Sequence, residues 1–152
     1  MYVCGLRISE ACTLQTKHID GQSNTIRIIG KGNKERIVPI PDKMLNQLRT
    51  YWTTHRHPIY LFPNKSGNNR IAPSGVYKAF KQALIQANLQ PSATPHTLRH
   101  SYATELMMAN VDLAVIQRLL GHESIKSTVI YTHLTAYTRD KVQEAIAKLM
   151  QR

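Results

Sequence analysis

The sequence predicts a mainly α-helical domain with one small antiparallel β-sheet, which places it in the α+β class. Over most of the 152 residues, apolar side chains recur at the three- and four-residue spacing of amphipathic helices. Two β-branched runs flank a short segment that contains two glycines, and this arrangement indicates a β-hairpin. Apolar residues make up 42% of the chain, which is enough to form the core of a single compact domain.

A short helix is expected over Leu6–Leu14, with Ile8 and Cys12 on its apolar side. Glu10 follows Arg7 by three residues, so the two side chains can meet on one face of this helix. An ion pair of this kind usually lies at the surface and contributes little free energy.

The hairpin is predicted from its two strands and from the residues between them. Thr25–Ile29 and Arg36–Ile40 are β-branched runs, and Gly30–Lys34 forms a five-residue tip in which Gly and Asn tolerate positive φ. A lysine at such a tip is ordinarily just solvated. The glycines on either side of Lys31 let the backbone approach a ligand closely, which favours a functional role for this lysine.

Five further helices are predicted from capping residues and apolar spacing. Asp42, Ser74 and Asp112 are typical N-caps, Pro95 favours a helix start and Gly121 a helix end. The expected spans are Asp42–Trp52, Ser74 to about Ala87, Pro95 to about Asn110, Asp112–Gly121 and Thr135–Met150.

The charge of the chain favours a polyanionic partner. Lys and Arg number 20 against 9 Asp and Glu, which gives a formal net charge of +11 and a pI of about 10.0. Nucleic acid is the usual partner of such a protein, and the alternative is a soluble basic protein without one. Arg36 and Lys34 on the hairpin are candidate contacts to a DNA backbone.

The cysteines, the apolar runs and the first residues of the chain indicate where the protein is located and how it is organised. Cys4 and Cys12 fit no zinc spacing and are expected to be reduced core thiols, in keeping with a cytoplasmic protein. No apolar run approaches the roughly 18 residues of a membrane span, and no signal peptide is visible. The first residues, Met1–Gly5, resemble the end of an element, so the chain is expected to be a fragment of a longer protein.

The candidate site is concentrated between His96 and Tyr131. His96 and Arg99 are three residues apart, so a helix would place both on one face. His122 and Tyr131 follow, and no carboxylate is expected beside these groups. A site of cations, imidazoles and one phenol is suited to an anion, and we expect a phosphodiester.

These residue types can carry out phosphoryl transfer without a metal or another cofactor. Tyr131 can attack the phosphorus, while Arg7 and Arg99 can hold the phosphate oxygens through their forked donors. Lys31 can protonate the leaving 5′ oxygen as general acid. His96 can accept the phenolic proton or bond the phosphate, and His122 can donate to a non-bridging oxygen.

The zinc alternative is weaker. His96 and His100 form an H-x-x-x-H pair, but Thr97 stands where a zinc protease helix would carry its glutamate. His100 is instead expected to be packed behind the site.

Taken together, the motifs resemble one known family, the tyrosine recombinases or phage integrases, and most closely their Xer-like branch. The resemblance runs from Gly5 to about Leu134. It rests on Gly5-Leu-Arg7-Ile-Ser-Glu10, Gly30-Lys31-Gly32-Asn-Lys-Glu-Arg36, His96-Thr-Leu-Arg99-His100, Leu120-Gly121-His122 and Tyr131-Thr-His133.

The resemblance implies a recombinase catalytic domain that cleaves DNA through a 3′-phosphotyrosyl intermediate. It implies strand exchange through a Holliday junction, within a homo-tetramer on two double-stranded DNA sites, in DNA integration or recombination at the bacterial nucleoid. It assigns a catalytic role to Arg7, Lys31, His96, Arg99, His122 and Tyr131, and to Glu10 the role of steadying Arg7. These motifs do not distinguish a recombinase of a phage from one that acts on a plasmid, a transposon or a chromosome.

The resemblance also bears on domain organisation. Residues 1–152 are expected to form one catalytic domain that lacks the N-terminal DNA-clamping domain of the family. Residues 135–152 resemble the tail helix that such proteins pass to a neighbouring subunit.

Three other functions stay open at this point. A type IB-like topoisomerase shares the chemistry but only relaxes DNA, and an inactive remnant of an integrase would bind DNA without cleaving it. A metal-dependent nuclease is disfavoured by the shortage of clustered carboxylates.

Overall fold

The computed structural model describes residues 1–89, 92–121 and 136–150, and it has the predicted mainly helical architecture with a small sheet. The helices and strands of this part alternate little along the chain, because the three strands follow one short α-helix and precede the other α-helices. The strands are β1 (Ile19–Asp20), β2 (Thr25–Ile29) and β3 (Glu35–Pro39). The helices are α1 (Ile8–Thr13), α2 (Asp42–His55), α3 (Pro73–Gln86), α4 (Pro95–Met108), α5 (Leu113–Leu120) and α6 (Ala136–Leu149).

The sheet is antiparallel throughout, in the order β1-β2-β3. The predicted strand β2 is confirmed, and β3 begins one residue earlier than predicted. Ile26 pairs with Val38 and Ile28 pairs with Arg36, so these four side chains share the inner face of the sheet. At the tip, the Gly30 N–H donates to the Lys34 carbonyl at 2.8 Å, and Lys31–Asn33 forms a single 3-10 turn between the strands.

The apolar residues form two groups, one on each side of the N-terminal segment. The sheet core joins the inner face of the sheet to α2, and the helical core joins α4, α5 and α6. Val3 packs against both groups, so the segment before α1 connects them. The sheet core comprises Cys4, Leu6, Leu14, Ile26, Ile28, Val38, Ile40, Leu45, Leu48 and Leu61. The helical core comprises Tyr102, Leu106, Val111, Ile116, Leu119, Leu120, Val142, Ala145 and Ile146.

Helix α5 confirms both of its predicted end signals. The Asp112 carboxylate accepts a hydrogen bond from the Ala114 N–H at 2.7 Å, which satisfies one of the free donors at the start of the helix. Gly121 ends the helix in the left-handed region, with φ of 65°. The end of α5 is therefore fixed in place, which matters because the candidate site lies directly against it.

Helix α3 differs from its prediction. It begins at Pro73 with Ala72 as N-cap, so Ser74 does not cap it. Its apolar spacing predicts a buried stripe of Val76, Phe80, Ala83, Leu84 and Ala87. Of these only Leu84 is buried, whereas Ala83 and Ala87 are exposed. The prediction failed because the spacing of apolar residues identifies one face of the helix, but burial also requires another element to cover that face.

Helix α6 packs against α4 of the same chain. Apolar spacing predicts Val142, Ile146, Leu149 and Met150 on one side of this helix, and Val142 and Ile146 are buried in the helical core. Exchange of this tail helix between subunits concerns an assembly of several chains and stays a prediction. None of the described helices is both long enough and apolar enough to cross a membrane.

Candidate active site

The site is built around the Glu10 carboxylate, which lies at the boundary between the sheet core and the helical core. Arg7 immediately precedes α1, and its backbone N–H donates to Glu10 Oε2 at 2.7 Å. The Arg7 guanidinium turns back to the same carboxylate and donates from Nη1 to Oε1 at 2.9 Å. The predicted pairing of Arg7 with Glu10 is therefore present, but Glu10 is buried and does not form the surface ion pair that was expected.

Arg36 is the second partner of this carboxylate. Its Nη1 donates to Glu10 Oε1 at 2.8 Å and its Nη2 to Oε2 at 2.7 Å, a bidentate arrangement. Its Nε donates to the Leu119 carbonyl at 2.7 Å. The prediction that Arg36 contacts a DNA backbone is wrong for this structure, because the side chain is only 7% exposed and its donors point into the protein.

Arg99 is a buried residue of α4 and reaches the same cluster. Its Nη1 donates to the Gly5 carbonyl and lies 4.0 Å from Glu10 Oε2, while its Nη2 donates to the Leu120 carbonyl at 2.6 Å. Burial and the nearby Arg7 charge lower the pKa of Arg99 to about 10, so it remains a cation at neutral pH.

The three arginines also bind the last carbonyl groups of α5. The Leu119 carbonyl accepts from Arg36, the Leu120 carbonyl from Arg99 and, at 3.5 Å, from Arg7, and the Gly121 carbonyl accepts from Arg7 at 3.1 Å. The end of a helix carries partial negative charge and leaves its final carbonyls without intrahelical partners, so cations are favoured here. These bonds hold the guanidinium groups of Arg7 and Arg99 close to one another, since both reach the Leu120 oxygen.

The carboxylate at the centre is ionised. Burial alone would raise the pKa of Glu10, but the hydrogen bonds from Arg36 and Arg7 lower it from 4.5 to about 2. Three guanidinium groups against one carboxylate leave this cluster with two net positive charges. No carboxylate was expected beside the groups between His96 and Tyr131, but Glu10 of α1 lies 4.0 Å from Arg99. The cluster nevertheless keeps the net positive charge that an anion requires.

Gly5 is needed where the chain passes under this cluster. It has φ of +57°, and a Cβ atom there would lie 2.5 Å from Tyr102 Cδ1. We expect Gly5→Ala to lower the free energy of unfolding by about 2–4 kcal/mol, because positive φ and overpacking both oppose it. Gly67→Ala is the matched control in urea denaturation, since Gly67 has φ of +68° with no atom within 4 Å of its added Cβ. Equal losses in the two variants would contradict the steric part of this argument.

The other predicted site residues lie in the first turn of α4, at the hairpin tip or outside the described residues. His96 is exposed in the first turn of α4, one turn before Arg99, and the backbone of Lys31 lies in the hairpin turn. Lys34 is exposed beside it. His122 and Tyr131 fall outside the described residues. Gly121, the residue before His122, contacts Arg7 directly.

His100 and Arg36 differ from what the sequence suggested. His100 was expected to pack behind the site, but it is exposed on α4. The structural role of Arg36 was missed, although a signal for it was present. Arg36, Val38 and Ile40 alternate with Glu35 and Ile37, so strand geometry places Arg36 on the same side as two core residues. Among the described residues, no three His, Cys, Asp or Glu side chains are grouped so that they could hold a metal ion.

Comparison with solved structures identifies the class of domain to which this architecture belongs. The crystal structure of XerA recombinase aligns with a TM-score of 0.72 at 31% identity, over 91% of this chain and 52% of that one. XerH site-specific recombinase bound to difH substrate, in a pre-cleavage complex, aligns with a TM-score of 0.73 at 29% identity, over 92% of this chain and 43% of that one. The predicted fold class, that of a tyrosine-recombinase catalytic domain, is confirmed.

Sequence comparison identifies the family. The phage integrase family pattern matches residues 1–137, and the chain belongs to the phage integrase family. A tyrosine recombinase of Thermosipho africanus is 42% identical over 135 residues, which cover 88% of this chain and 47% of the relative. Tyrosine recombinase XerD of Staphylococcus epidermidis is 38% identical over 142 residues, covering 89% and 48%. The chain thus spans about half the length of the curated relatives it matches, and the Xer-like resemblance is confirmed.

Proposed function

We propose that this chain is the catalytic domain of a site-specific DNA recombinase or integrase. In this reaction the Tyr131 phenolic oxygen attacks the scissile phosphorus, the bond to the 5′ oxygen breaks, and a 3′-phosphotyrosyl bond forms. A later attack by a 5′ hydroxyl reverses these steps and rejoins the strand. The observation that carries this proposal is that Arg7 and Arg99 both donate to the Leu120 carbonyl, within a cluster whose net charge is +2.

The arginine cluster supports the proposal through its free donors. A guanidinium has five N–H donors, and Arg7 uses three of them on Glu10, Leu120 and Gly121. The other two, on Nε and Nη2, have no partner among the described residues. The Arg7 side chain is also 37% exposed, so it can present these donors to a phosphate. Fixed cations of this kind stabilise the charge that builds up on the phosphate oxygens in the transition state.

The remaining roles follow from residue chemistry and from position along the chain. Lys31, in the hairpin turn, delivers a proton to the leaving 5′ oxygen, and His96 accepts the phenolic proton or bonds the phosphate. His122, which follows Gly121 directly, donates to a non-bridging oxygen. Because the cluster already holds two net positive charges, the reaction needs neither a metal ion nor another cofactor.

The partner we propose is double-stranded DNA, bound by a homo-tetramer that passes through a Holliday junction. The net charge of +11 supports a nucleic-acid partner, and the similar XerH recombinase is bound to its difH substrate. In that assembly residues 135–152 are proposed to pack on a neighbouring subunit in the way that α6 packs on α4 here. Such an enzyme would act in the bacterial cytoplasm, at the nucleoid.

The proposal is tested by trapping the covalent intermediate. The protein is incubated in EDTA with a pool of nicked duplexes. Cleavage close to the nick releases a short fragment that carries the 5′ hydroxyl, and the loss of this fragment prevents rejoining. We expect a band on a denaturing gel that contains both protein and DNA and that disappears after protease treatment. Adduct formation that required added divalent metal would contradict the metal-free mechanism.

Two further measurements, of supercoil relaxation and of DNA binding, separate the other functions that the sequence left open. Supercoil relaxation without any recombinant product would indicate a topoisomerase. Salt-sensitive DNA binding without an adduct, in this chain and in a longer version with an added DNA-clamping domain, would indicate a binding remnant and overturn the proposal.

A further inference from the structure

Arg36 is the buried residue whose contacts the proposed reaction leaves unexplained. Its guanidinium reaches three parts of the fold, since it belongs to β3, binds Glu10 of α1 and donates to the Leu119 carbonyl at the end of α5. A buried ion pair is a weak source of stability, because removing two charges from water costs about as much as their attraction returns. The contacts of Arg36 are therefore better explained by a role other than stabilising the fold.

We propose that Arg36 and Glu10 form a positioning pair that leaves the charge of Arg7 available to an anion. The inference rests on the proposed function, because the anion it invokes is the scissile phosphate of DNA. Arg36 binds both oxygens of Glu10 at 2.7–2.8 Å, whereas the Arg7 guanidinium binds one oxygen at 2.9 Å. Arg36 thus neutralises the carboxylate, and Arg7 is oriented by Glu10 without being neutralised by it.

Without Arg36 the balance of charge changes. Glu10 would remain buried with Arg7 as its closest cation, and Arg99 lies 4.0 Å away. The carboxylate would then compete with an incoming phosphate for both catalytic arginines. A phosphate binds weakly to a guanidinium whose charge is already balanced, so the loss of Arg36 acts through Arg7 and not through DNA contact of its own.

Arg36 also fixes the distance between the hairpin and the end of α5. A Cβ atom on Gly121 would lie 3.2 Å from Arg36 Nη1, so the chain passes directly over this guanidinium. Arg36 lies in the strand that follows the turn holding Lys31, and Gly121 precedes His122. One buried side chain therefore sets the spacing of two segments that carry proposed catalytic residues.

The test compares four variants: Arg36→Gln, Glu10→Gln, the double variant, and Arg27→Gln as the matched control. Arg27 lies on β2 of the same hairpin and is an exposed residue, 3.6 Å from Glu35. Two quantities are measured for each: the rate of adduct formation on the nicked duplexes, and the affinity for inorganic phosphate from NMR shifts of the Arg7 side-chain N–H groups. A thermal melt of each variant establishes that it is folded.

We expect Arg36→Gln to slow adduct formation by about 10- to 100-fold and to weaken phosphate binding by about tenfold. The double variant should recover most of both losses, because it removes the unbalanced carboxylate together with the arginine, while the glutamine amide oxygen at position 10 can still accept the hydrogen bond that orients Arg7. If Arg36→Gln does not fold, the positioning role is tested by comparing the double variant with the wild type. We then expect their rates of adduct formation and their phosphate affinities to lie within about tenfold of each other. Arg27→Gln should match the wild type in both quantities.

The outcomes separate this inference from the proposed function. A double variant no better than Arg36→Gln, or one that fails to fold, would overturn the positioning role even if the wild-type protein forms an adduct. The same conclusion would follow if phosphate left the Arg7 resonances of the wild type unshifted. Loss and recovery of phosphate affinity, with no adduct formed by the wild-type chain or by its longer version, would support the charge balance and reject the recombinase reaction.

Discussion

Tyr131→Phe is expected to abolish the covalent protein–DNA adduct while leaving DNA affinity within about twofold of the wild type. The phenolic oxygen is the atom that bonds to phosphorus in the proposed reaction, so its removal leaves no route to the 3′-phosphotyrosyl bond. Loss of a nucleophile lowers turnover by at least about 10⁴-fold, which puts the product below detection on a gel. Binding depends on many phosphate contacts of a basic surface, and the phenol supplies none of that charge.

The measurement pairs the denaturing gel with a binding isotherm on the same duplexes. Tyr51→Phe is the matched control, because Tyr51 is exposed on α2 and packs its ring against His55 and Phe62. An adduct that persists in Tyr131→Phe would reject this residue as the nucleophile. Tyr102 is no substitute for it, since its ring is fully buried and burial raises the pKa of its hydroxyl.

Local sequence signals predicted those parts of the fold whose structure depends on local interactions. The hairpin followed from two β-branched runs and a turn in which Gly32 and Asn33 both take positive φ. Helix α5 followed from an acidic N-cap and a glycine end. Strand β1 was missed because it has only two residues, too few to show alternation.

The parts that failed depend on contacts between distant segments. The exposure of α3 is decided by which elements lie over it, and the sequence of α3 does not contain that information. Arg36 and Glu10 are separated by 26 positions along the chain, so their bidentate pair could not be derived from spacing. Spacing along α1 predicted the contact between Arg7 and Glu10, but it could not show that the carboxylate is buried.

Glu10→Ala is expected to lower the free energy of unfolding by about 3–5 kcal/mol. The substitution leaves Arg36 buried without the carboxylate that both of its Nη atoms bind, and it removes the nearest anion to Arg99. A buried charge without a partner is among the few changes that produce losses of this size. Urea denaturation at pH 7, followed by circular dichroism, measures the difference from the wild type.

The effect should depend on pH with a definite sign. The folded-state pKa of Glu10, about 2, lies below the ordinary value of 4.5. The ionised carboxylate therefore stabilises the folded state fully above pH 4.5, and this contribution is lost as pH falls from 4.5 through about 2. The stability difference between wild type and Glu10→Ala should accordingly shrink over this interval.

Glu35→Ala is the matched control for this prediction. Glu35 lies on the same hairpin as Arg36 and pairs with Arg27 at 3.6 Å, but both side chains are close to half exposed. Solvent screens such a pair, so its loss should cost less than about 1 kcal/mol and change little between pH 2 and pH 5. If Glu10→Ala cost no more than Glu35→Ala, the carboxylate would not be the centre on which the three arginines depend. The orientation of Arg7 would then have to come from the end of α5 alone, through its bonds to Leu120 and Gly121.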